Sequence, residues 1–469
     1  MQTEHSDPCS LSMMPKFICI IILNWTIVNA AANSFSFSEK KIWNLLSGPS
    51  FTPRHSHATC VFKCPDNTPD VCIWLTGGYS KEHRTFNLVM EHENSDVWWS
   101  KDGANWTQVT KLLGDFLPGI GNGDAKVGGY VAPWYSRYGH TLNAIDTDND
   151  GHADIMILAG GFSPLPSNDA WLTTDGITWH FEGYAPWPKR AYHGAAIFHG
   201  KLWILGGSPL SNDAWVGSLI PDASRQVGFR LEWEQKLRPN EAPWTPRSSF
   251  CTFTQFRQAT TEELIADSNV LGTEYLFLLG GLALSPDGEP SISDGTRTRN
   301  DVWKTSDGIS WERVMPSSGD YMPWGARAFH GCISLQNHTG NETSTRIVIT
   351  GGGYMGRRGN NDVRELEVYT DMWVSLDDDA TNWVRVNHEE GSRYEDNVYS
   401  SNEWTQIGIG GRNVYRGNWG HTLVEHVTRR TDKTNNSQVV EVPSLLLIGG
   451  KVESEHATNR VFELQMELT

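Results

Sequence analysis

Short runs of aliphatic and aromatic residues recur along the chain, and each run ends in two adjacent glycines. A short apolar run that stops at glycine is typical of a buried strand that ends where the chain turns tightly. The pattern therefore predicts six buried strands in equivalent positions. The runs are IWLTGG, IMILAGG, LWILGG, YLFLLGG, RIVITGG and SLLLIGG, with glycine pairs at 77–78, 160–161, 206–207, 280–281, 351–352 and 449–450.

A second pattern follows the glycine pair in five of the six units and places two tryptophans around a turn. It begins with Asp-x-Trp, as in SDVWWSKDGANW and NDAWLTTDGITW, and the Asp-Gly between the tryptophans is typical of a tight hairpin turn. We therefore predict two further strands in each unit, with both tryptophans in the core. The tryptophan pairs are Trp98/Trp106, Trp171/Trp179, Trp215/Trp233, Trp303/Trp311 and Trp373/Trp383.

A third pattern precedes each glycine pair and combines an aromatic residue, an arginine and a histidine at three-residue spacing. Two copies depart from it, because the fourth has Phe250 in place of histidine and the sixth reads Tyr415/Asn418/His421. The strand that starts after the arginine is predicted to be the innermost strand of its unit. The copies that keep the arginine are Phe51/Arg54/His57, Trp134/Arg137/His140, Trp187/Arg190/His193, Trp244/Arg247/Phe250 and Trp324/Arg327/His330.

Each unit thus contains four predicted strands, a to d. With 21 Trp and 45 Gly among 469 residues, this repetition predicts an all-β fold, a six-bladed β-propeller, rather than a string of separate domains. The last unit lacks a d strand, and residues 38–46, which place Trp43 where a d-strand tryptophan stands, are predicted to supply it and close the ring. The predicted blade cores are 51–109, 134–182, 187–236, 244–314, 324–386 and 415–467 together with 38–46.

The strand that ends in Gly-Gly, the spaced tryptophans and the arginine before the innermost strand together resemble the kelch repeat of the galactose-oxidase-like propeller superfamily. The resemblance covers about residues 35–469 and implies the propeller fold. It implies little about activity, because kelch propellers include sugar-modifying enzymes, extracellular modules and intracellular adaptors. The copper ligands and the Cys–Tyr crosslink of galactose oxidase cannot be assigned in this sequence.

Residues 1–32 have the layout of a secretory signal peptide, with an apolar run from Phe17 to Val28 followed by small residues. This predicts a secreted mature protein of residues 33–469. A single-pass signal anchor is the alternative, although the run of about 12 residues is shorter than the ~20 that span a bilayer. No later segment is apolar enough for a transmembrane span.

The net charge of the chain limits the classes of ligand that it can bind, and its cysteines indicate where disulfides can form. The chain has 38 basic and 55 acidic residues and a net charge of −17, which argues against nucleic acid and leaves a protein or a carbohydrate as the expected ligand. In an oxidising compartment nearby cysteines tend to pair, and Cys64 and Cys72 flank a turn-rich loop. We predict that these two form a disulfide and leave the pairing of Cys60, Cys251 and Cys332 open.

The glycosylation sequons and the long insertions are predicted to lie on opposite faces of the propeller. In an antiparallel blade the a–b and c–d loops share one face, and the b–c and d–a loops share the other. Insertions in the latter loops, at 81–94, 110–133, 283–299, 353–369 and 387–414, point to a ligand-binding face. The sequons, all predicted on the opposite face, are Asn105, Asn337, Asn341 and Asn435.

The segment DTDNDGHAD has the alternating carboxylates and the glycine of a calcium-binding loop. Ca²⁺ takes six to eight oxygen ligands, and such spacing lets one short loop wrap around the ion. The bidentate glutamate of an EF-hand is absent, and the loop is similar to those of integrin-type FG-GAP repeats, so we expect a structural Ca²⁺ in the a–b loop of the second blade. The expected ligands are Asp146, Asp148, Asp150, Asp154 and the carbonyl of His152.

The repeated arginines and aromatic residues admit two interpretations. They could hold an anionic or sugar ligand at the mouth of the axial channel, because arginine pairs well with carboxylate or phosphate. They could instead serve blade packing. Our functional expectation is a non-catalytic binding module, and the alternative is an enzyme that acts on an acidic sugar and whose catalytic residues the sequence does not reveal. The candidate ligand-binding residues are Arg54, Arg137, Arg190, Arg247, Arg327, Trp134, Trp187, Trp244 and Trp324.

Overall fold

Strands dominate the part of the chain that the structure, a computed structural model, describes. One short helix, α1 (Thr261–Ala266), interrupts them. Among the described residues, no helix has both the length and the apolar character needed to cross a membrane. The described residues are 35–36, 44–46, 49–66, 68, 70–84, 88–109, 113–114, 132–163, 165–267, 271–284, 296–317, 319–339, 342–357, 364–386, 419–431, 439–452, 456–457, 459–465 and 467–468.

The strands of the first three sequence units follow a short N-terminal segment. That segment contains β1 (Phe35–Ser36) and β2 (Asn44–Leu45). The first unit contains β3 (Ala58–Lys63), β4 (Val71–Thr76), β5 (Tyr79–Arg84), β6 (Leu88–Glu93), β7 (Val97–Ser100) and β8 (Thr107–Gln108), and β9 (Leu113–Gly114) follows it. The second contains β10 (Thr141–Ile145), β11 (Ile155–Ser163), β12 (Leu165–Thr173) and β13 (Thr178–Tyr184). The third contains β14 (Gly194–Phe198), β15 (Lys201–Gly207), β16 (Ser211–Pro221) and β17 (Phe229–Leu237).

The remaining three units are built in the same way. The fourth contains β18 (Arg247–Ser248), β19 (Cys251–Gln258), β20 (Gly272–Leu284), β21 (Thr296–Thr305) and β22 (Glu312–Val314). The fifth contains β23 (Gly331–Thr339), β24 (Glu342–Thr350), β25 (Gly353–Arg357), β26 (Arg364–Val368), β27 (Met372–Ser375) and β28 (Trp383–Val386). The sixth contains β29 (Thr422–Thr431), β30 (Val439–Ile448), β31 (Lys451–Val452), β32 (His456–Ala457), β33 (Val461–Gln465) and β34 (Glu467–Leu468).

Four strands form an antiparallel sheet in each of the first five units, and three strands of the sixth unit pair with β2. The strand that leads into the glycine pair lies second. The orders are β3-β4-β7-β8, β10-β11-β12-β13, β14-β15-β16-β17, β19-β20-β21-β22, β23-β24-β27-β28 and β29-β30-β33-β2. Glycine is required after the second strand because the backbone is left-handed there and close to a neighbour. A Cβ on Gly77, where φ is 58°, would lie 2.6 Å from the Arg137 carbonyl oxygen.

The fourth strand of the sixth sheet comes from the N-terminal segment. Asn44 pairs with Glu463 and Leu45 pairs with Phe462, in antiparallel register. This agrees with the strand predicted for residues 38–46 at its C-terminal end. The rest of that segment, including Trp43, lies outside the described residues.

Among the described residues the apolar core consists of six clusters, and each cluster joins two units. Trp171 and Trp179, for example, are fully buried in a cluster that also contains Trp74 and Phe62 of the first unit. Five clusters join units that are consecutive in the chain, and the other joins Leu446 of the sixth unit to Leu75 of the first. The sheets therefore pack face to face, as expected of a propeller-type all-β fold.

Two disulfides form among the described residues. Cys64–Cys72 forms as predicted, between the ends of β3 and β4. The second, Cys251–Cys332, which the sequence left open, joins the first strands of the fourth and fifth units. Cys60 is a free, half-buried thiol, and burial raises its pKa, which makes it a poor nucleophile.

Candidate functional site

The five repeated arginines are buried, and each forms a two-pronged ion pair with the aspartate of Asp-x-Trp in its own unit. In the third unit, Arg190 Nη1 and Nη2 donate to the two carboxylate oxygens of Asp213 at 2.9 and 2.7 Å, and Nη1 also donates to the Gly206 carbonyl. This carboxylate also accepts a hydrogen bond from the indole of Trp215. The equivalent pairs are Arg54–Asp96, Arg137–Asp169, Arg247–Asp301 and Arg327–Asp371.

These ion pairs explain why an arginine and an Asp-x-Trp recur together in each unit, and a bound ligand is not needed to explain it. Burial alone would raise the pKa of Asp169, but the charge and hydrogen bonds of Arg137 outweigh it and hold that pKa at about 2. All five arginines are at most 2% exposed, so their guanidinium groups offer no surface to a ligand. Trp134, Trp187, Trp244 and Trp324 are each 1% exposed. The structure thus gives these nine residues a packing role and does not bring them together as a ligand site.

A closed cycle of six backbone hydrogen bonds surrounds the axis at the start of the innermost strands. The residue two positions after each arginine, or after Asn418 in the sixth unit, donates its N–H to the carbonyl of the equivalent residue in the preceding unit, at 2.7–2.9 Å. Every member has a left-handed φ, between 53° and 64°. The members are Ser56, Gly139, Tyr192, Ser249, Phe329 and Gly420.

A cavity of roughly 170 Å³ lies on this axis. Its wall is made by the six residues of the cycle and by the residue that follows each of them. The cavity is therefore formed where the six innermost strands begin, and the aligned histidines of the sequence pattern line it. The following residues are His57, His140, His193, Phe250, His330 and His421.

The cavity histidines are buried, and burial lowers the pKa of His57, His140, His193 and His330. Burial first, and the nearby arginine second, lower the pKa of His140 and of His193 to about 3. The Nε2 of His140 lies 2.8 Å from Thr76 Oγ1, and that of His193 lies 3.2 Å from Thr141 Oγ1. The Nδ1 atoms of His57, His140 and His193, and both ring nitrogens of His330, have no hydrogen-bond partner among the described residues. These nitrogens are buried, and the rings of His140 and His193 pack against Gly77 and Gly160 of the preceding unit.

A belt of aromatic rings surrounds the mouth of this cavity. Successive ring centroids lie 4.9–6.0 Å apart, and the contacts form a closed circuit. The sequence reasoning did not identify these residues, although a signal was present, since five of the six units carry an aromatic ring at one of the two positions between the arginine, or Asn418, and the histidine. The belt consists of His55, Tyr79, Tyr138, Tyr192, Phe329 and Trp419.

The titratable groups of the belt are shifted toward their uncharged forms. Burial, and next the charge of Lys451, lower the pKa of His55 to about 4. Burial raises the pKa of Tyr192, and burial followed by the charge of Glu93 raises the pKa of Tyr138. Glu93 itself has a raised pKa because it is partly desolvated. The titratable belt side chains are therefore held in their uncharged forms, while the Lys451 ammonium lies 5.3 Å from the centroid of the Trp419 ring.

The predicted calcium loop lies at the far end of β10 from the cavity. Carboxylate oxygens of Asp146, Asp148 and Asp154 lie within 4.8 Å of one another, whereas Asp150 is outside this cluster. Both Asp146 oxygens accept backbone N–H groups of the loop, and Asp154 accepts from Thr147. His152 N–H donates to Asp150. Three of the predicted ligands are thus already close together.

For one of the four predicted glycosylation sites, Asn105, the structure describes both the backbone and the side chain. Asn105 is exposed in the turn between β7 and β8, where its side chain bonds Asp102. Asn337 lies near the end of β23, paired in register with Ser344. Asn341 and Asn435 lie outside the described residues.

Comparison with known proteins finds one partial relative and a broad structural likeness. Alpha-scruin of Limulus polyphemus, a kelch-repeat protein, is 24% identical over 214 residues, which make up 39% of this chain and only 22% of alpha-scruin. The solved structure of YjhT aligns with a TM-score of 0.44 and 13% identity, over 89% of this chain and 96% of YjhT. No family model matches the chain. The similarity to alpha-scruin agrees with the kelch resemblance of the six sequence units.

Proposed function

We propose that the protein is a six-bladed propeller, closed by β2, that acts as a non-catalytic binding module through the face formed by its b–c and d–a loops. A kelch-like propeller suggests such a module. The six apolar clusters and the cycle of six hydrogen bonds, each running from unit to unit and back to the first, support the closed ring. The cavity and its aromatic belt mark the place on this face where the ligand binds.

The observation that carries the proposal is the left-handed backbone of bulky residues at the cavity mouth. Glycine is the low-strain residue for this conformation, and Gly139 and Gly420 show that it satisfies the cycle. Tyr192 and Phe329 adopt the same conformation, at a cost of about 1–3 kcal/mol each. Their rings lie 5.3 Å apart at the cavity mouth, and we assign this costly arrangement to ligand binding.

The alternative, an enzyme that acts on an acidic sugar, depended on arginines free to hold a carboxylate. Arg54, Arg137, Arg190, Arg247 and Arg327 are instead each paired with an aspartate. Within the described residues, the belt and the cavity offer aromatic rings, hydroxyls and uncharged imidazoles. These groups suit binding better than acid–base chemistry on an acidic substrate.

We further propose that the protein is secreted and N-glycosylated and that the Asp146–Asp148–Asp154 cluster binds a structural Ca²⁺. Two disulfides support an oxidising compartment. Exposure of Asn105 supports glycosylation. The three converging carboxylates support the ion, since hard cations prefer oxygen ligands.

A binding screen with a matched pair of variants tests the proposed function. Wild type, Tyr192→Gly/Phe329→Gly and Phe256→Ala would be applied to a glycan array and to a displayed random-peptide library. Phe256 is 43% exposed in β19, beside the a–b loop and away from the proposed binding face, so it controls for the loss of an exposed aromatic. We expect binders that the double variant loses and the control keeps. Binders that all three proteins retain equally would contradict the proposal.

A further inference from the structure

We propose that the a–b loop of the fourth unit docks a basic amphipathic helix of a partner protein. This loop leads from β19 through α1 into β20 and lies on the face opposite to the proposed binding face. A partner bound there would leave the axial cavity accessible, so the two surfaces can be tested separately. The apolar part of this region, named the α1 surface, consists of Phe256, Leu264, Ile265 and Leu271.

The four side chains of the α1 surface are large, apolar and exposed to solvent. Ile265 and Leu271 are 80% and 65% exposed, and Leu264 and Phe256 are 44% and 43% exposed. The ring of Phe256 lies against Gly272, the residue after Leu271. None of the four belongs to the six core clusters of the described residues. Single exposed apolar residues are normal, whereas several in one loop mark an interaction surface.

Hydrogen bonds fix the loop that carries these side chains. Arg257 Nη1 and Nη2 donate to the two carboxylate oxygens of Glu263, at 3.0 and 2.7 Å, and so fasten α1 to β19. Thr260 and Glu263 form a reciprocal capping box at the start of α1. The N–H of Ala259 donates to the carbonyl of Leu271 at 3.1 Å and joins the two ends of the loop. Because the backbone is already ordered, a partner that binds here does not have to order it.

The charge at the edge of the α1 surface selects a basic partner. Glu262 and Asp267 are exposed and flank the two apolar residues of α1 in the sequence, and α1 has no basic residue in its last turn. The charge of Glu263 is balanced by Arg257, the only base between residues 256 and 271. A second copy of this chain, with its net charge of −17, or an anionic membrane would be repelled. Lysine or arginine beside an apolar stripe would instead pair with these carboxylates.

The shape of the region favours a helix over an extended peptide. An amphipathic helix aligns apolar residues at i, i+3, i+4 and i+7 in one stripe and carries charged residues beside it. This arrangement complements exposed apolar side chains that have carboxylates at their edge. An extended peptide would need a free strand edge, whereas β20 is paired on both sides, with β19 and with β21, and β19 is the innermost strand of its unit.

Matched surface variants remove one property at a time. Leu264→Ser/Ile265→Ser removes two exposed apolar side chains that lie outside the core, so it should change Tm little. Leu165→Ser is its control, because Leu165 is 70% exposed in β12 on the opposite face. Glu262→Gln removes one charge from the edge of the α1 surface. Asp320→Asn is its control, because Asp320 is exposed in the d–a loop of the fourth unit.

Fluorescence anisotropy of full-length protein with three labelled peptides of about 18 residues, long enough to form a helix, measures docking. The first peptide has a leucine stripe and lysines on its other positions, the second has glutamate in place of lysine, and the third is a scrambled version of the first. We expect wild type to bind the first at least tenfold more tightly than the other two. Leu264→Ser/Ile265→Ser should weaken this binding at least tenfold and Glu262→Gln about twofold, and both controls should bind as wild type does.

Three results would overturn the proposal: equal affinity for the first and the scrambled peptide, tighter binding of the glutamate peptide, or equal affinity of wild type and Leu264→Ser/Ile265→Ser. Dimerisation in sedimentation, or flotation with phosphatidylcholine or phosphatidylserine vesicles, that this variant abolishes while the lysine peptide fails to bind would also overturn it. The occupant would then be a second copy or a membrane. Phe256→Ala should weaken binding of the lysine peptide and Tyr192→Gly/Phe329→Gly should not, so failure at the axial cavity is distinguishable from failure at the α1 surface.

Discussion

At the scale of single residues, one carboxylate ties together the separate sequence patterns of a unit. Asp213 accepts from both terminal nitrogens of Arg190, from the indole of Trp215 and from the hydroxyl of Ser211. The preceding Asn212 donates to two carbonyls of the segment that leads into the next unit. The recurring Asn-Asp-x-Trp thus fixes the inner strand, its own strand and the connection to the next unit. Breaking such a buried pair costs about 3–5 kcal/mol.

The cavity histidines predict a loss of stability on mild acidification. Their pKa is about 3 in the folded protein, for His140 and His193, and 6.5 without the fold. Between these values the unfolded chain binds more protons, so stability falls as the pH drops below 6.5 and continues to fall until about pH 3. Each histidine contributes at most about 1.4 kcal/mol per pH unit in that window.

Chemical denaturation at pH 7 and at pH 5 measures this effect. His140→Phe/His193→Phe should lose clearly less stability than wild type between the two pH values. The control His199→Phe should behave as wild type does. An equal loss in wild type and the double variant would mean that these imidazoles are not held neutral by the fold.

At the scale of elements, the sheets could be predicted from the sequence because the local turn residues and the pattern of buried residues indicate the same strands. The apolar run sets β4, β11, β15, β20, β24 and β30. The glycine pair follows or closes four of them and marks a register shift within β11 and β20, and the Asp-Gly turn sets the hairpin that follows. The site was harder to predict. Arginine spacing alone does not show whether a guanidinium faces a ligand or an aspartate about 20–50 residues away, which depends on how strands a and c meet in space.

The aromatic belt escaped the sequence analysis for a related reason. Five of its residues occupy one of the two positions between the arginine, or Asn418, and the histidine. The fourth unit supplies none and Tyr79 instead follows the Gly77–Gly78 pair, so the six residues do not form a periodic pattern. Only the cycle of left-handed residues at the axis brings Tyr192 and Phe329 into contact across the fourth unit. The disulfide Cys251–Cys332 could likewise not be predicted from the spacing of the cysteines, because they lie 81 residues apart.

The loop between β10 and β11 predicts stabilisation by calcium. Adding Ca²⁺ at 100 times its Kd after chelation should stabilise wild type by about 2.7 kcal/mol, seen as a rise in Tm. Asp148→Asn should abolish the rise, because it removes one of three converging carboxylates. Asp320→Asn removes the same charge from an exposed site elsewhere and should leave the rise intact. An unchanged Tm in wild type would refute the calcium assignment.

At the scale of the whole molecule, the two disulfides should differ in their contribution to stability. Cys251–Cys332 closes a loop of 81 residues and joins neighbouring units, whereas Cys64–Cys72 closes one of 8 within a single unit. Loop-closure entropy predicts a cost of roughly 4 kcal/mol for removing the first and about 2.5 kcal/mol for removing the second. Urea unfolding of Cys251→Ser/Cys332→Ser and Cys64→Ser/Cys72→Ser compares them, and a larger loss for the shorter loop would contradict this account.

The central claim is that the arginine series is architecture and that the aromatic belt is the binding site. Measuring Tm and affinity together, for the tightest probe from the binding screen, separates the two roles in one experiment. Arg190→Ala/Arg247→Ala should lower Tm strongly and leave the affinity of the folded fraction within about twofold, because both guanidinium groups are buried against aspartates. Tyr192→Gly/Phe329→Gly should change Tm little and weaken binding at least tenfold. The opposite outcome, with affinity lost in the arginine variant and kept in the belt variant, would contradict the account.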